Sequence, residues 1–176
     1  NLYGVAFGNS IFVAVGNYGK IVRSANNGAS WSSLSQGYSN YYPYGSTHFR
    51  GVSFGNNTFV GVGDSGRIIR STNDGSSWDN VTAVDSTYLR GVTFGNNTFV
   101  AVGSSGKIIR STDNGSSFDN VTSVDSTTLY GVTFGNNTFV AVGNNGKIIR
   151  STDNGSSWNN STSGTTNRLN GVSFGD

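Results

Sequence analysis

The chain has 176 residues, 34% hydrophobic and 11% charged, with 26 Gly, one Pro, one His and no Cys, Met or Glu. Charge that sparse excludes a charge-rich disordered tail, the missing cysteines exclude disulfides and thiolate metal sites, and an apolar run no longer than Ile11 to Val15 is too short to span a bilayer as a helix. The net charge of +2 comes from cations spaced singly along the chain, so no basic patch for nucleic acid is expected.

Reading from the N-terminus, Leu2 to Phe7 predicts a strand and opens a phrase, Gly-Val-x-Phe-Gly, that returns at Gly4, Gly51, Gly91, Gly131 and Gly171. The spacings are 47, 40, 40 and 40 residues. The first is lengthened by an insert, Gln36 to His48, that carries Pro43, His48 and the cluster Tyr38, Tyr41, Tyr42 and Tyr44. The third unit shows the pattern of all four. Strand A is expected near Leu89 to Phe94, strand B at Thr98 to Val102, strand C at Lys107 to Thr112 and strand D around Phe118 to Val124, with Gly/Asn/Ser turns between. No helix signal interrupts them. Four short antiparallel strands per 40 residues predict an all-β fold, a β-propeller of four four-stranded blades, at about 1–48, 49–88, 89–128 and 129–168. A parallel β-helix coil fits less well because its rung is shorter. A surplus strand A remains at Leu169 to Phe174, within 169–176, for which a closed four-bladed ring has no slot; it is expected to pair with further blades or with another molecule. A first residue that is not Met and a final phrase cut short suggest a piece of something longer.

Each unit also carries Ser/Thr-x-Asp-x-Gly-x-x-Trp/Phe between strands C and D. The four copies place Ser24, Asn26, Gly28 and Trp31; Ser71, Asn73, Gly75 and Trp78; Ser111, Asp113, Gly115 and Phe118; and Ser151, Asp153, Gly155 and Trp158. This pattern resembles the Asp-box, or BNR repeat, of β-propellers that include sialidases, photosystem-assembly propellers and sortilin-type receptors. The resemblance covers the chain apart from the Tyr-rich insert and implies a turn between the third and fourth strands of each blade. Its physics is that of a tight turn: the Asx oxygen accepts turn amides, Gly takes a left-handed conformation, and the aromatic covers the hairpin. Asn26 and Asn73 replace Asp, so the boxes are expected to be structural, with no metal or cofactor.

Sialidase chemistry requires an arginine cluster and a Tyr nucleophile helped by Glu, and the chain has no Glu. Arg23, Arg70, Arg110 and Arg150 hold one equivalent position in all four units and therefore read as a repeated structural feature beside the box rather than as one asymmetric catalytic site. His48 has no nucleophile elbow or second His to work with and is expected to be a solvent-exposed residue of the insert. The chain is expected not to be an enzyme.

The copies differ before the glycine phrase and in the B-to-C turn. Tyr3, Tyr18, Arg50, Asp64, Arg90, Tyr130 and Asn144 are accordingly candidates for a ligand or partner surface, with chemistry suited to sugars. Asn56, Asn80, Asn96, Asn114, Asn120, Asn136, Asn154, Asn159 and Asn160 each begin an N-x-S/T triplet and are candidate N-glycosylation sites, although turn chemistry also accounts for them. Two functions follow as alternatives: an extracellular structural or adhesive propeller that self-associates head-to-tail through Leu169 to Phe174, or a multivalent carbohydrate-binding propeller. A third, an intracellular assembly factor, rests on the family resemblance alone.

Overall fold

The computed structural model describes residues 1–34 and 48–175. It contains four antiparallel four-stranded sheets, each a simple meander in chain order. The first comprises β1 (Leu2–Gly8), β2 (Ile11–Gly16), β3 (Ile21–Ser24) and β4 (Ser32–Leu34); the second β5 (Phe49–Gly55), β6 (Thr58–Gly63), β7 (Ile68–Ser71) and β8 (Asp79–Val81). The third comprises β9 (Leu89–Gly95), β10 (Thr98–Gly103), β11 (Ile108–Ser111) and β12 (Asp119–Asn120); the fourth β13 (Leu129–Gly135), β14 (Thr138–Gly143), β15 (Ile148–Ser151) and β16 (Asn159–Ser161). This is the blade unit of a β-propeller. The inner strands stand in a file, β1 against β5, β5 against β9 and β9 against β13.

Glycine at the inner strand is what allows the blades to approach. A Cβ on Gly55 or Gly95 would sit 2.1 Å from the ring of Phe54's counterpart in the next blade, Phe94 or Phe134 respectively. Between successive sheets lie three separate apolar cores of one composition. In the last of them Val100, Val102 and Ile108 of the third blade meet Leu129, Phe139, Ile149 and Trp158 of the fourth. One sheet has no such core by itself, so each blade is folded by its neighbours.

The B-to-C connection is the expected tight turn in each blade, at Asn17–Gly19, Asp64–Gly66, Ser104–Gly106 and Asn144–Gly146, with the second and third residues in the left-handed region and the next backbone N–H bonded back to the first carbonyl. One local feature departs from the sequence reading. The outer strand is shorter than expected: β12 is only Asp119–Asn120, because an edge strand beside solvent has one neighbour and the Ser/Thr-rich chain beyond it has no apolar face to bury. Residues 169–175 run along β13, with Gly171 against Gly131 and Phe174 against Gly135, as an inner strand of the next blade would. Among the described residues they form no β-ladder, so the surplus strand expected at Leu169 to Phe174 is not made in the isolated chain; Leu169 N donates to Gly143 O at 3.0 Å.

Candidate interaction surfaces

The box turns share one set of hydrogen bonds. In the second blade Ser71 Oγ donates to Asn73 Oδ1 at 2.9 Å and accepts Gly75 N at 3.0 Å, while Asn73 Oδ1 also accepts Ser77 N at 3.0 Å. Trp78 Nε1 donates to Gly75 O at 3.2 Å, folding the indole back over the turn. Ser24, Asn26, Gly28 and Trp31 repeat the set, as do Ser151, Asp153, Gly155 and Trp158. Phe118 keeps the packing without the donor, and Ser111, Asp113 and Gly115 make the remaining bonds. The glycines lie at φ between +73° and +82°, the left-handed region glycine occupies without strain. Hydrogen bonds from Ser157 hold the Asp153 carboxyl down at about 2.

The repeated arginines pair across the blade boundary. Arg23 Nε donates to Asp74 O at 2.7 Å, Arg70 Nε to Asn114 O at 2.8 Å and Arg110 Nε to Asn154 O at 2.7 Å, each reaching the box turn of the next blade. Asn114 and Asn154 return the contact, their Nδ2 groups donating to Thr58 and Thr98 Oγ1, both at 2.7 Å. Those two amides are therefore committed to blade stacking. Asn56, Asn80, Asn96, Asn120, Asn136, Asn159 and Asn160 stand exposed, although Asn56 and Asn96 also donate Nδ2 to the next blade, to Asn97 Oδ1 at 3.1 Å and Asn137 Oδ1 at 3.4 Å.

The variable residues before the glycine phrase prove to be the extra residues of four β-bulges, at Tyr3, Arg50, Arg90 and Tyr130. A bulge re-aims its side chain, and here Arg50 and Arg90 reach the B-to-C turn of their own blade and the bulge residue of a neighbouring blade. Arg50 binds Asp64 through two bonds, Nε to Oδ1 at 2.8 Å and Nη2 to Oδ2 at 3.0 Å, and lies 4.8 Å from the centre of the Tyr3 ring. The Asp64 bond raises the Arg50 pKa, with partial burial opposing it. Arg90 donates to Ser104 Oγ at 3.2 Å and stands 5.1 Å from the Tyr130 ring, which Arg168 approaches at 4.9 Å. Arg168 carries no repeat signal in the sequence, since the positions equivalent to it hold Asn1, His48, Tyr88 and Thr128. The fixed offset of 14 residues between bulge and turn is the signal that joins Arg50 to Asp64 and Arg90 to Ser104. Asn144 occupies the same turn position in the fourth blade, its backbone N bonded to Thr128 O.

His48 is not a free loop side chain. It is half-buried, its Nδ1 accepts Tyr18 N at 3.2 Å, and the Tyr3 and Tyr18 rings meet it edge-on. The Tyr38, Tyr41, Tyr42 and Tyr44 cluster lies outside the described residues.

A second kind of surface lies at the two ends of the blade file. On the first blade Leu2, Val5 and Phe7 are 53%, 62% and 54% exposed, and Trp31 is 43% exposed where Trp78 is 6%. A Cβ on Gly28 would touch nothing within 4 Å, whereas on Gly75 it would strike Val13 at 2.8 Å. On the fourth blade Arg150 is exposed and, among the described residues, has no box carbonyl to bind.

With this geometry in view, the chain can be compared with known proteins. No family model matches it, and no curated protein matches it. Among solved structures it is similar to YCF48 bound to D1 peptide, with TM-score 0.75, 18% identity, 98% of this chain and 56% of that chain. YCF48 from Cyanidioschyzon merolae aligns with TM-score 0.73 and 16% identity over 98% of this chain and 59% of that chain. A Niastella koreensis GH74 enzyme aligns with TM-score 0.61 and 21% identity over 90% of this chain and 24% of that chain. The fold is a β-propeller. The chain spans less than two thirds of the length of these neighbours, and no helix among the described residues is long and apolar enough to cross a membrane.

Proposed function

We propose that the chain is a non-catalytic propeller of the Asp-box type that serves as an extracellular structural or adhesive scaffold and associates head-to-tail with copies of itself. The observation that carries this reading is the complementarity of its ends. The first blade exposes a Trp-capped box turn and an apolar inner strand; the fourth exposes the arginine that, in every internal interface, binds such a turn. The shared box bonds support the Asp-box reading. The non-catalytic reading is supported by the absence of Glu and by blade-to-blade repetition of the arginines, three of which are bound to backbone carbonyls. Extracellular placement, with glycans on exposed turns such as Asn136, draws on the exposed triplets.

A second reading, carbohydrate binding, is favoured by the exposed Tyr3 and Tyr18 rings around His48, a surface suited to stacking on sugars. A peptide is a further partner class, since the similar YCF48 structure holds one. Light scattering over a range of concentrations, run beside a glycan array, separates the readings. A scaffold gives mass that grows with concentration and no sugar signal; a lectin gives a fixed mass with selective sugar binding.

A further inference from the structure

The open ends of the blade file pose a steric problem. For the first blade of a second copy to stack on the fourth blade of this one, its β1 must lie along β13. Residues 169–175 already lie there, with Phe174 on Gly135 and Gly171 on Gly131.

The sequence offers a solution. Residues 169–175 read LNGVSFG and β1 reads LYGVAFG, the same segment but for Asn170 in place of Tyr3 and Ser173 in place of Ala6. Resting on the head-to-tail reading above, we propose that 169–175 is the inner strand of the first blade of a second copy, where it displaces that copy's β1 and pairs with its β2. The register follows from the existing ladder, in which Ala6 pairs with Val13, Phe7 with Phe12 and Gly8 with Ile11. Ser173 then opposes Val13, Phe174 opposes Phe12, and Gly175 opposes Ile11 of the second copy.

The exchange replaces one backbone ladder by its near-identical equivalent, so strand pairing itself changes little. The gain is the stacked face. Trp31 of the second copy takes the place Trp158 holds against the third blade, and Arg150 gains the Asn27 carbonyl as Arg110 has the Asn154 carbonyl. A segment of inner-strand sequence with no ladder of its own presents an unpaired edge, which strand addition satisfies. Because donor and acceptor surfaces differ, the contact is heterologous and propagates unless the rotation closes a ring.

The chain has no native cysteine, which makes a disulfide trap clean. Directly opposed Cα atoms of an antiparallel pair stand ~4.5–5.5 Å apart, within disulfide range. Full-length Ser173→Cys and Val13→Cys proteins are prepared separately, mixed in equal amounts and oxidised. The expected product is a linked heterodimer, joined at these two positions by peptide mapping, that neither protein gives alone. Gly175→Cys with Ile11→Cys, two residues along, repeats the test should burial of Val13 impair folding. An internal disulfide in the monomeric double variant overturns the proposal, because the segment would then complete its own first blade. No heterodimer with either pair, while light scattering shows the native chain self-associating, overturns the exchange and leaves head-to-tail stacking standing. A native chain that stays monomeric at every concentration overturns both and leaves the open faces to adjoining blades of one polypeptide.

Discussion

Replacing Gly95 by Ala tests blade stacking at its tightest point. The added Cβ would lie 2.1 Å from Cγ of Phe134, where an ordinary contact is 3.4–4 Å. The clash is with the root of the ring, so no terminal rotation relieves it. Strand β13 must retreat by more than about 1 Å, opening the core of Val100, Val102, Phe139 and Trp158. Overpacking of this kind costs ~1–3 kcal/mol, and a clash at the root of the ring puts this site at the upper end, so subtracting the ~0.5–1 kcal/mol that Ala gains over Gly inside a strand leaves a net loss of about 2–2.5 kcal/mol. Gly135→Ala creates the same 2.1 Å approach, to Phe174, but that ring belongs to a segment with no sheet to hold it in place. Its cost to the folded blades is expected to stay within ~0.5 kcal/mol, and Gly175→Ala, with nothing within 4 Å of the new Cβ, should be neutral or slightly stabilising. Urea unfolding of dilute protein measures the series. The reasoning fails if Gly95→Ala is as stable as the native chain or if Gly135→Ala costs as much as Gly95→Ala.

Further outcomes follow from the same interfaces. Trp78→Ala removes a buried indole and should cost ~3–5 kcal/mol in thermal or urea unfolding, whereas Trp31→Ala in dilute protein should cost less than about 1 kcal/mol. Arg110→Ala strips a charged donor from the Asn154 carbonyl and should cost ~1.5–3 kcal/mol, with Arg150→Ala within ~0.5 kcal/mol in the monomer. In acid, Asp85 and Asp125 are held at about 2 by hydrogen bonds from Lys107 and Lys147 respectively, below their ordinary 3.8. Their depressed values mean the stabilisation is complete above about pH 4 and disappears as pH falls toward 2. Stability measured from pH 5 to 2 should therefore drop less steeply in Asp85→Asn and Asp125→Asn than in the native chain.

Much of this architecture was legible in the sequence because glycine marks the places where blades touch. The 40-residue spacing of Gly51, Gly91, Gly131 and Gly171 located each inner strand, and the inner strand and its hairpin partner were found within a residue or so. The outer strand was over-extended because alternation in a Ser/Thr/Asp stretch does not say whether a partner edge is present. Cross-blade bonds were harder still. Nothing in the local pattern around Arg70 announces that its acceptor is the carbonyl of Asn114, 44 positions away, since a backbone acceptor leaves no residue-type signature. His48 was misjudged for a similar reason: its anchoring donor is the backbone N–H of Tyr18. Variation before the glycine phrase did point to the bulge residues, but not to the Arg168 that completes the Arg–Tyr–Arg stack.

The central claim, that the open face of the first blade is covered by the fourth blade of a second copy, has a reporter already in place. Three tryptophans are present, and Phe118 holds their position in the third box, so Trp78→Phe and Trp158→Phe together leave Trp31 as the single emitter in a tolerated background. Fluorescence of this variant should show a water-exposed emission in dilute solution that moves to shorter wavelength as concentration rises and Trp31 becomes covered like its counterparts. Emission that stays long-wavelength at every concentration, with no change in mass, would contradict the account.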